Sequence, residues 1–222
     1  MEYGFHIYNK LAVDGVSVGV DKLLRADLER KLTPRSLSKF SENGDTGTRS
    51  RTKNALFQKH FDGNLDKPPV IVCIGSDLAI GDSLGPITGS MLKYKTQGLG
   101  VFVYGTLATP VTAKEIKYLR TFLRETHAGS QVIAVDAAVG AEGDIGLIKV
   151  NHAPLFPGAG ANKKLGAVGD ISLMGIVAER SVANYGLLNT TRLNLVYSMA
   201  EKISDALSSL FWNLAQNKRQ NG

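Results

Sequence analysis

Apolar residues recur along the chain in short blocks that are separated by polar, glycine-bearing segments. The run PVIVCIG, which begins at Pro69, is continuously apolar and rich in β-branched residues, as is typical of a strand buried on both faces of a parallel sheet. Comparable runs predict strands over residues 101–104, 132–136 and 145–150. These strands should form the centre of the fold.

Between and after these blocks, apolar residues recur at the spacing of a helix. Residues 112–126 place Ile116, Leu119, Phe122 and Leu123 on one face and basic residues on the other, which predicts a helix packed on a sheet. Further helices are predicted from Pro86 onward, over 169–179 and over 192–217, and a short strand is predicted at 187–188. Strands that alternate with helices predict an α/β fold of three layers, a doubly wound, mostly parallel sheet with helices on both faces.

The first 67 residues have a different character. A short amphipathic helix is predicted over 21–32, a polar linker over 41–53 and a second short helix over 54–61. We therefore predict an N-terminal arm, partly helical or flexible, over residues 1–67 and a single α/β domain over residues 68–222.

Composition narrows the function classes. The 222 residues are 43% hydrophobic, and no apolar run approaches the roughly 18 residues of a membrane span, so a cytoplasmic chain without a membrane partner is expected. Its one cysteine, Cys73, excludes an internal disulfide, and no CxxC or HExxH motif indicates zinc. The net charge of +6 comes without a compact basic stripe, so no specific nucleic-acid partner is predicted.

Two aspartates follow predicted strands, where the sites of open α/β sheets form. Asp82 lies in the loop GSDLAIGDSLGP, and Asp136 ends the strand VIAVD. Two converging carboxylates can ligate a cation or share a proton as an acid/base pair. Asp82 can alternatively cap the next helix. The loop fits neither a phosphate-binding loop nor a dinucleotide fingerprint, and Ser83, although centred in GDSLG, lies too far after its strand for a nucleophile elbow.

A second segment with possible chemistry is LFPGAGANKKLGAVGDIS, residues 155–172. Asn162, Lys163 and Lys164 are placed to hold a substrate carbonyl or acidic side chain, and Asp170 is predicted to cap the following helix. His152, just before this segment, is the one histidine close to the predicted site.

Five motifs in order, VIVCIGSDLAIGDSLGPITG, VYGTLATPV, VIAVDAAVG, PGAGANKKLGAVGDIS and LLNTTRLNLV, resemble the YyaC-type sporulation proteins, a group related to spore germination proteases and hydrogenase maturation endopeptidases. The resemblance covers about residues 68–205. It implies a peptidase whose catalytic carboxylates are Asp82 and Asp136, and its PGxGxxN-type segment implies that Gly158, Asn162 and Lys163 line the substrate site. The resemblance also implies that the substrate is a small acid-soluble spore protein or another protein of the developing spore, in the forespore or spore core.

The maturation endopeptidases bind nickel through two acidic residues and a histidine. The resemblance places Asp82 and Asp136 at the acidic positions, but Ser172 stands where that histidine is expected, so no cofactor is predicted and nickel or another divalent metal remains an alternative. We expect an endopeptidase that activates water directly. A non-catalytic protein that binds a peptide or partner, and a metal-dependent maturation protease, are the alternatives.

Overall fold

The computed structural model describes residues 1–32, 67, 69–158, 165–180 and 191–220. The strands are β1 (Glu2–His6), β2 (Val70–Cys73), β3 (Phe102–Tyr104), β4 (Val132–Gly140), β5 (Leu147–Asn151) and β6 (Ile171–Glu179). The helices are α1 (Ala12–Leu32), α2 (Leu84–Lys95), α3 (Ile116–Thr126) and α4 (Leu193–Gln220). Short 3-10 turns lie at Gly81–Ser83 and Glu142–Asp144.

The strands form one six-stranded sheet in the order β1-β5-β6-β4-β2-β3. The predicted α/β class is confirmed, but the sheet is mixed rather than mostly parallel. Strands β3, β2, β4 and β6 run parallel, whereas β5 and β1 are antiparallel to their neighbours. The connection between β4 and β5 is residues 141–146, which is too short for the crossover that a parallel return requires, so the chain reverses direction there.

Helices cover both faces of the sheet, as predicted. On one face, α1, α2 and α4 bury a large cluster that includes Leu23, Leu84 and Leu207 against the sheet residues Ile71 and Ile133. On the other face, α3 buries a smaller cluster. That cluster consists of residues from α3 and the segment before it, from β2 and the residue after it, from β4 and from the segment before β6: Val70, Val72, Ile74, Val111, Ile116, Leu119, Leu123, Ala134, Leu155 and Val168.

The helix predicted over 169–179 is wrong, because this segment forms strand β6. Eight of its nine residues are buried or partly buried, and the segment pairs with β4 on one side and with β5 on the other. A segment with so few polar positions has no periodicity that separates a buried strand from a buried helix. Asp170 therefore caps no helix. Its carboxylate accepts a hydrogen bond from the Val132 amide at 2.9 Å, and its own amide donates to the Val132 carbonyl.

The described part of residues 1–67 contributes to the same sheet and core. Strand β1 pairs with β5, and Ile7, Val16, Val20 and Leu23 on or next to β1 and α1 are buried in the larger cluster. The predicted helix at 21–32 is confirmed as the second half of α1, whereas β1 was not predicted. The linker at 41–53, the helix at 54–61 and the strand at 187–188 fall outside the described residues. None of the described helices combines the length and apolar character of a membrane span.

Candidate active site

The two predicted aspartates meet where β2 ends and β4 continues. Cys73, the last residue of β2, pairs with Val135, so Asp136 is the first residue of β4 beyond the end of its neighbour. The sequence predicted that this strand ends at Asp136, but β4 continues beside β6 to Gly140. The loop that follows β2 therefore begins next to Asp136.

The same loop returns Asp82 to this position. Gly75 adopts a φ of 141°, and a side chain at this position would collide with the Asp82 carbonyl oxygen. The Ser76 amide donates to that carbonyl at 3.2 Å, which closes the loop, and the Gly75 amide donates to the carbonyl of Val111 at 3.0 Å. The loop is thus held to β2 and to the segment after β3 by main-chain hydrogen bonds.

Helix α2, which follows the loop, lies directly against the strand ends. Methyl groups at Gly85 and Gly89, one helical turn apart, would collide with the carbonyl oxygens of Ile74 and Gly105. Asp82 lies in the 3-10 turn before α2, and neither this turn nor α2 has a side-chain capping hydrogen bond. The alternative that Asp82 caps a helix is therefore wrong, and its side chain is available for chemistry.

The electrostatics distinguish the two carboxyl groups. Burial raises the pKa of Asp136 well above the usual aspartate value, and the nearby Asp82 carboxylate raises it further. The Ala137 amide, which donates to Asp136 Oδ1 at 2.8 Å, opposes this shift. Burial also raises the pKa of Asp82, and a hydrogen bond from the Ser76 amide lowers it again. Asp136 therefore holds its proton more strongly, and Asp82 is the group that ionises first.

Such a pair suits acid and base catalysis. Two close carboxyls do not ionise together, so one is a proton donor while the other is a proton acceptor at the same pH. Ser76, which donates its amide to Asp82, was not singled out from the sequence. The available signal was its position, directly after the glycine that ends the β2 run.

The other predicted site residues have mixed outcomes. Gly158 lies on the segment in which Leu155 and Val168 pair and pack against α3. Ala134, two residues before Asp136 on β4, belongs to the same cluster as Leu155 and Val168, so these two residues pack on the face of the sheet that bears Asp136. Asn162 and Lys163, together with Lys164, lie outside the described residues.

Ser83 and His152 do not join the pair. Ser83 is buried and donates its hydroxyl hydrogen to the Ile80 carbonyl at 2.6 Å, which leaves no free nucleophile. His152 follows β5, which is antiparallel to β6. This histidine therefore lies at the amino ends of the parallel strands, away from the ends that carry the two aspartates, and its Nε2 is 3.4 Å from Asp27 Oδ1. The prediction that His152 lies near the site is wrong for that reason.

A nickel site was the alternative that the resemblance implied. Within the described part of the chain, no group of three His, Cys, Asp or Glu side chains is arranged to hold a metal ion. Ser172, the position expected for the histidine, is buried in β6 opposite Ala134. Among the described residues, the metal donors at this position are two carboxylates, one fewer than the three ligands that the resemblance implies.

The fold and the pair define an α/β protein with an acidic site at the carboxyl end of parallel strands. Residues 43–206 match the family described as "Protein of unknown function (DUF1256)", and the chain belongs to this family. It is also 44% identical over 142 residues to "Uncharacterized protein YyaC" of Bacillus subtilis (strain 168), across 64% of this chain and 69% of that protein. The chain is thus of the YyaC type. No solved structure matches it.

Proposed function

We propose that this protein is an endopeptidase in which Asp82 and Asp136 activate a water molecule for attack on a peptide carbonyl. The observation that supports this proposal is the pair itself, two partly exposed carboxyl groups whose different pKa shifts make one a proton acceptor and the other a proton donor.

The chemistry follows from the order in which the groups ionise. Ionised Asp82 takes a proton from water as the water oxygen bonds to the carbonyl carbon, while protonated Asp136 donates its proton to the carbonyl oxygen. The tetrahedral intermediate then collapses. The peptide C–N bond breaks, the amine nitrogen receives the proton held by Asp82, and the hydroxyl proton returns to Asp136, so both carboxyls end in their starting states.

The resemblance to spore germination proteases suggests the substrate and the setting. We propose a sporulation-associated hydrolase of the cytoplasm of the forespore or spore core, with small acid-soluble spore proteins as substrates. The relation to the germination protease and hydrogenase maturation families belongs to this proposal.

The test incubates the full chain with an acid-soluble spore-protein extract and detects fragments by mass spectrometry. Asp82→Asn and Asp136→Asn should each lower the cleavage rate by about a hundredfold or more, the scale on which general acid–base catalysis contributes. The matched control is Asp144→Asn, because Asp144 is engaged in a surface ion pair with Lys149. It should leave the rate unchanged.

The pH profile is the second readout. Cleavage should fall at acid pH, where Asp82 takes up its proton, and at alkaline pH, where Asp136 loses its proton. Because the pKa of Asp136 is raised, the alkaline limb should lie well above the usual aspartate range. Cleavage that persists in the Asp82→Asn, Asp136→Asn double variant would overturn the mechanism. Binding of spore proteins without any cleavage would support the non-catalytic alternative, and loss of cleavage with chelator would support the metal-dependent one.

A further inference from the structure

Strand β3 forms one edge of the sheet, and one of its residues turns its main-chain groups away from the fold. The Phe102 amide donates to the Pro69 carbonyl at 3.1 Å, so Phe102 faces β2. In a strand the main-chain groups of successive residues point to opposite sides, so the amide and carbonyl of Val103 point to the free edge. Among the residues that the structure describes, no strand pairs with this edge.

A cavity and a set of aromatic rings flank this free edge. The cavity, of about 300 Å³, is lined by all of β3 and by Lys93, Thr96, Gln97 and Gly98 at the end of α2. On the other face, Phe102 and Phe122 are 42% and 40% exposed. They pack around His127, with ring centroids 4.6 Å and 5.8 Å from it.

We propose that the free edge of β3 binds an extended segment of the polypeptide substrate as an added strand, an inference that rests on the proposed peptidase function. The Val103 amide and carbonyl pair with the main chain of the substrate, and Phe102 and Phe122 contact apolar side chains at alternate positions. The substrate class is thus an unfolded or locally extended polypeptide rather than a dipeptide or a folded surface.

The distance from this edge to the carboxyls sets where cleavage occurs. Neighbouring strands lie about 4.8 Å apart, so an added strand lies roughly 14 Å from β4, which carries Asp136. An extended chain advances about 3.3 Å per residue. The scissile bond should therefore lie about three to five residues outside the paired segment.

The test uses the full chain carrying Asp136→Asn, so that no probe is consumed. The probe is a synthetic peptide in which valine alternates with threonine between terminal lysines, and the control is the same peptide N-methylated at each central residue. Hydrogen exchange followed by NMR should show exchange of the Val103 amide slowed at least about tenfold by the probe and unchanged by the control. The Phe102 amide, already bonded to Pro69, is the internal reference.

A variant tests the same pairing through affinity. Val103→Pro removes the outward amide and keeps the amide of Phe102 that bonds to β2, and proline is tolerated at such edge positions. Loss of one net hydrogen bond should weaken binding of the probe about three- to tenfold. Glu2→Pro is the matched control. The amide of Glu2 points away from β5 on β1, the opposite edge strand, so this variant should bind the probe normally.

The outcomes separate this inference from the proposed function. Unchanged exchange at Val103 with saturating peptide would overturn the docking site, even if the unmodified chain cleaves spore proteins. Protection of Val103 without peptide that rises with protein concentration would also overturn it, since a second copy would then occupy the edge. Protection by the peptide, without hydrolysis by the unmodified chain, would support the docking site and contradict the peptidase. The exchange measurement leaves position 103 unchanged, so it holds even if Val103→Pro fails to fold.

Discussion

The raised pKa of Asp136 predicts that this residue costs stability at neutral pH. The proton is held more strongly in the folded than in the unfolded state, so the unfolded chain binds fewer protons once the pH exceeds the usual aspartate value. Stability should therefore be full below about pH 4 and fall as the pH rises toward the folded pKa. Asp136→Asn replaces the carboxyl with a neutral group of nearly equal size and should remove this loss.

The magnitude follows from linkage. Each tenfold difference in proton affinity between the two states is worth about 1.4 kcal/mol at a pH above both pKa values. We expect Asp136→Asn to raise the free energy of unfolding at pH 8, because the pKa of the carboxyl is raised in the folded state. For a chain of this length, each 1 kcal/mol gained corresponds to a rise in Tm of about 2–4 °C. At pH 4 the gain should nearly vanish, because the carboxyl is then largely protonated in the folded state and partly protonated in the unfolded one.

The assay is thermal unfolding followed by circular dichroism between pH 4 and pH 8. Asp144→Asn is again the control, and it should change the free energy of unfolding by no more than about 0.5 kcal/mol, because Asp144 and Lys149 form a partly exposed pair 3.1 Å apart. A Tm that Asp136→Asn lowers at every pH would refute the reasoning. It would mean that the folded protein stabilises the ionised carboxylate, as a bound cation does.

Two further predictions concern the main chain and the core next to the site, one through a pair of glycine substitutions and one through thiol labelling. Gly75→Ala should destabilise the fold by about 2 kcal/mol or more, because its methyl group meets the Asp82 carbonyl oxygen, and it should lower cleavage by displacing Asp82. Gly98→Ala, at a positive φ in open space, should cost only about 1–2 kcal/mol of stability. Melting curves compare the two variants, and the fragment assay follows Gly75→Ala. Equal effects of the two would contradict the role of the close approach. Burial raises the pKa of the Cys73 thiol strongly, so a thiol reagent at pH 8 should label it only as fast as the protein unfolds, and rapid labelling of the folded chain would place Cys73 outside the core.

The sequence predicts strands β2 and β4 because their signals are local. PVIVCIG and VIAVD are strands, and the rule that sites form at strand ends predicts that Asp82 and Asp136 lie together. Strands β1 and β6 were not predictable in the same way. Strand β1 is only five residues long with no fully buried position, and the residues of β6 are nearly all apolar, so neither has the alternation that identifies a strand.

The direction of a strand in the sheet is also not visible in its local sequence. His152 comes after a strand in the sequence, as a site residue of a parallel sheet would. Because β5 runs in the reverse direction, His152 instead lies at the amino ends of the parallel strands, near Asp27. The order of ionisation within the pair also needed the fold. It depends on how deeply each carboxyl is buried and on the amides of Ser76 and Ala137, none of which a spacing of residues reveals.

The contact of α2 with the strand ends has a consequence for how this protein tolerates change. At Gly85 and Gly89 the main chain of the helix touches the main chain of the sheet and the loop after β3, with no side chain between them. The separation of the two carboxyls is thus largely a matter of backbone dimensions. In a randomised library selected for folding, the apolar side chains of the core should accept many exchanges of similar volume. At positions 85 and 89, every selected variant should carry glycine. Directed evolution could therefore alter specificity without disturbing the acidic pair.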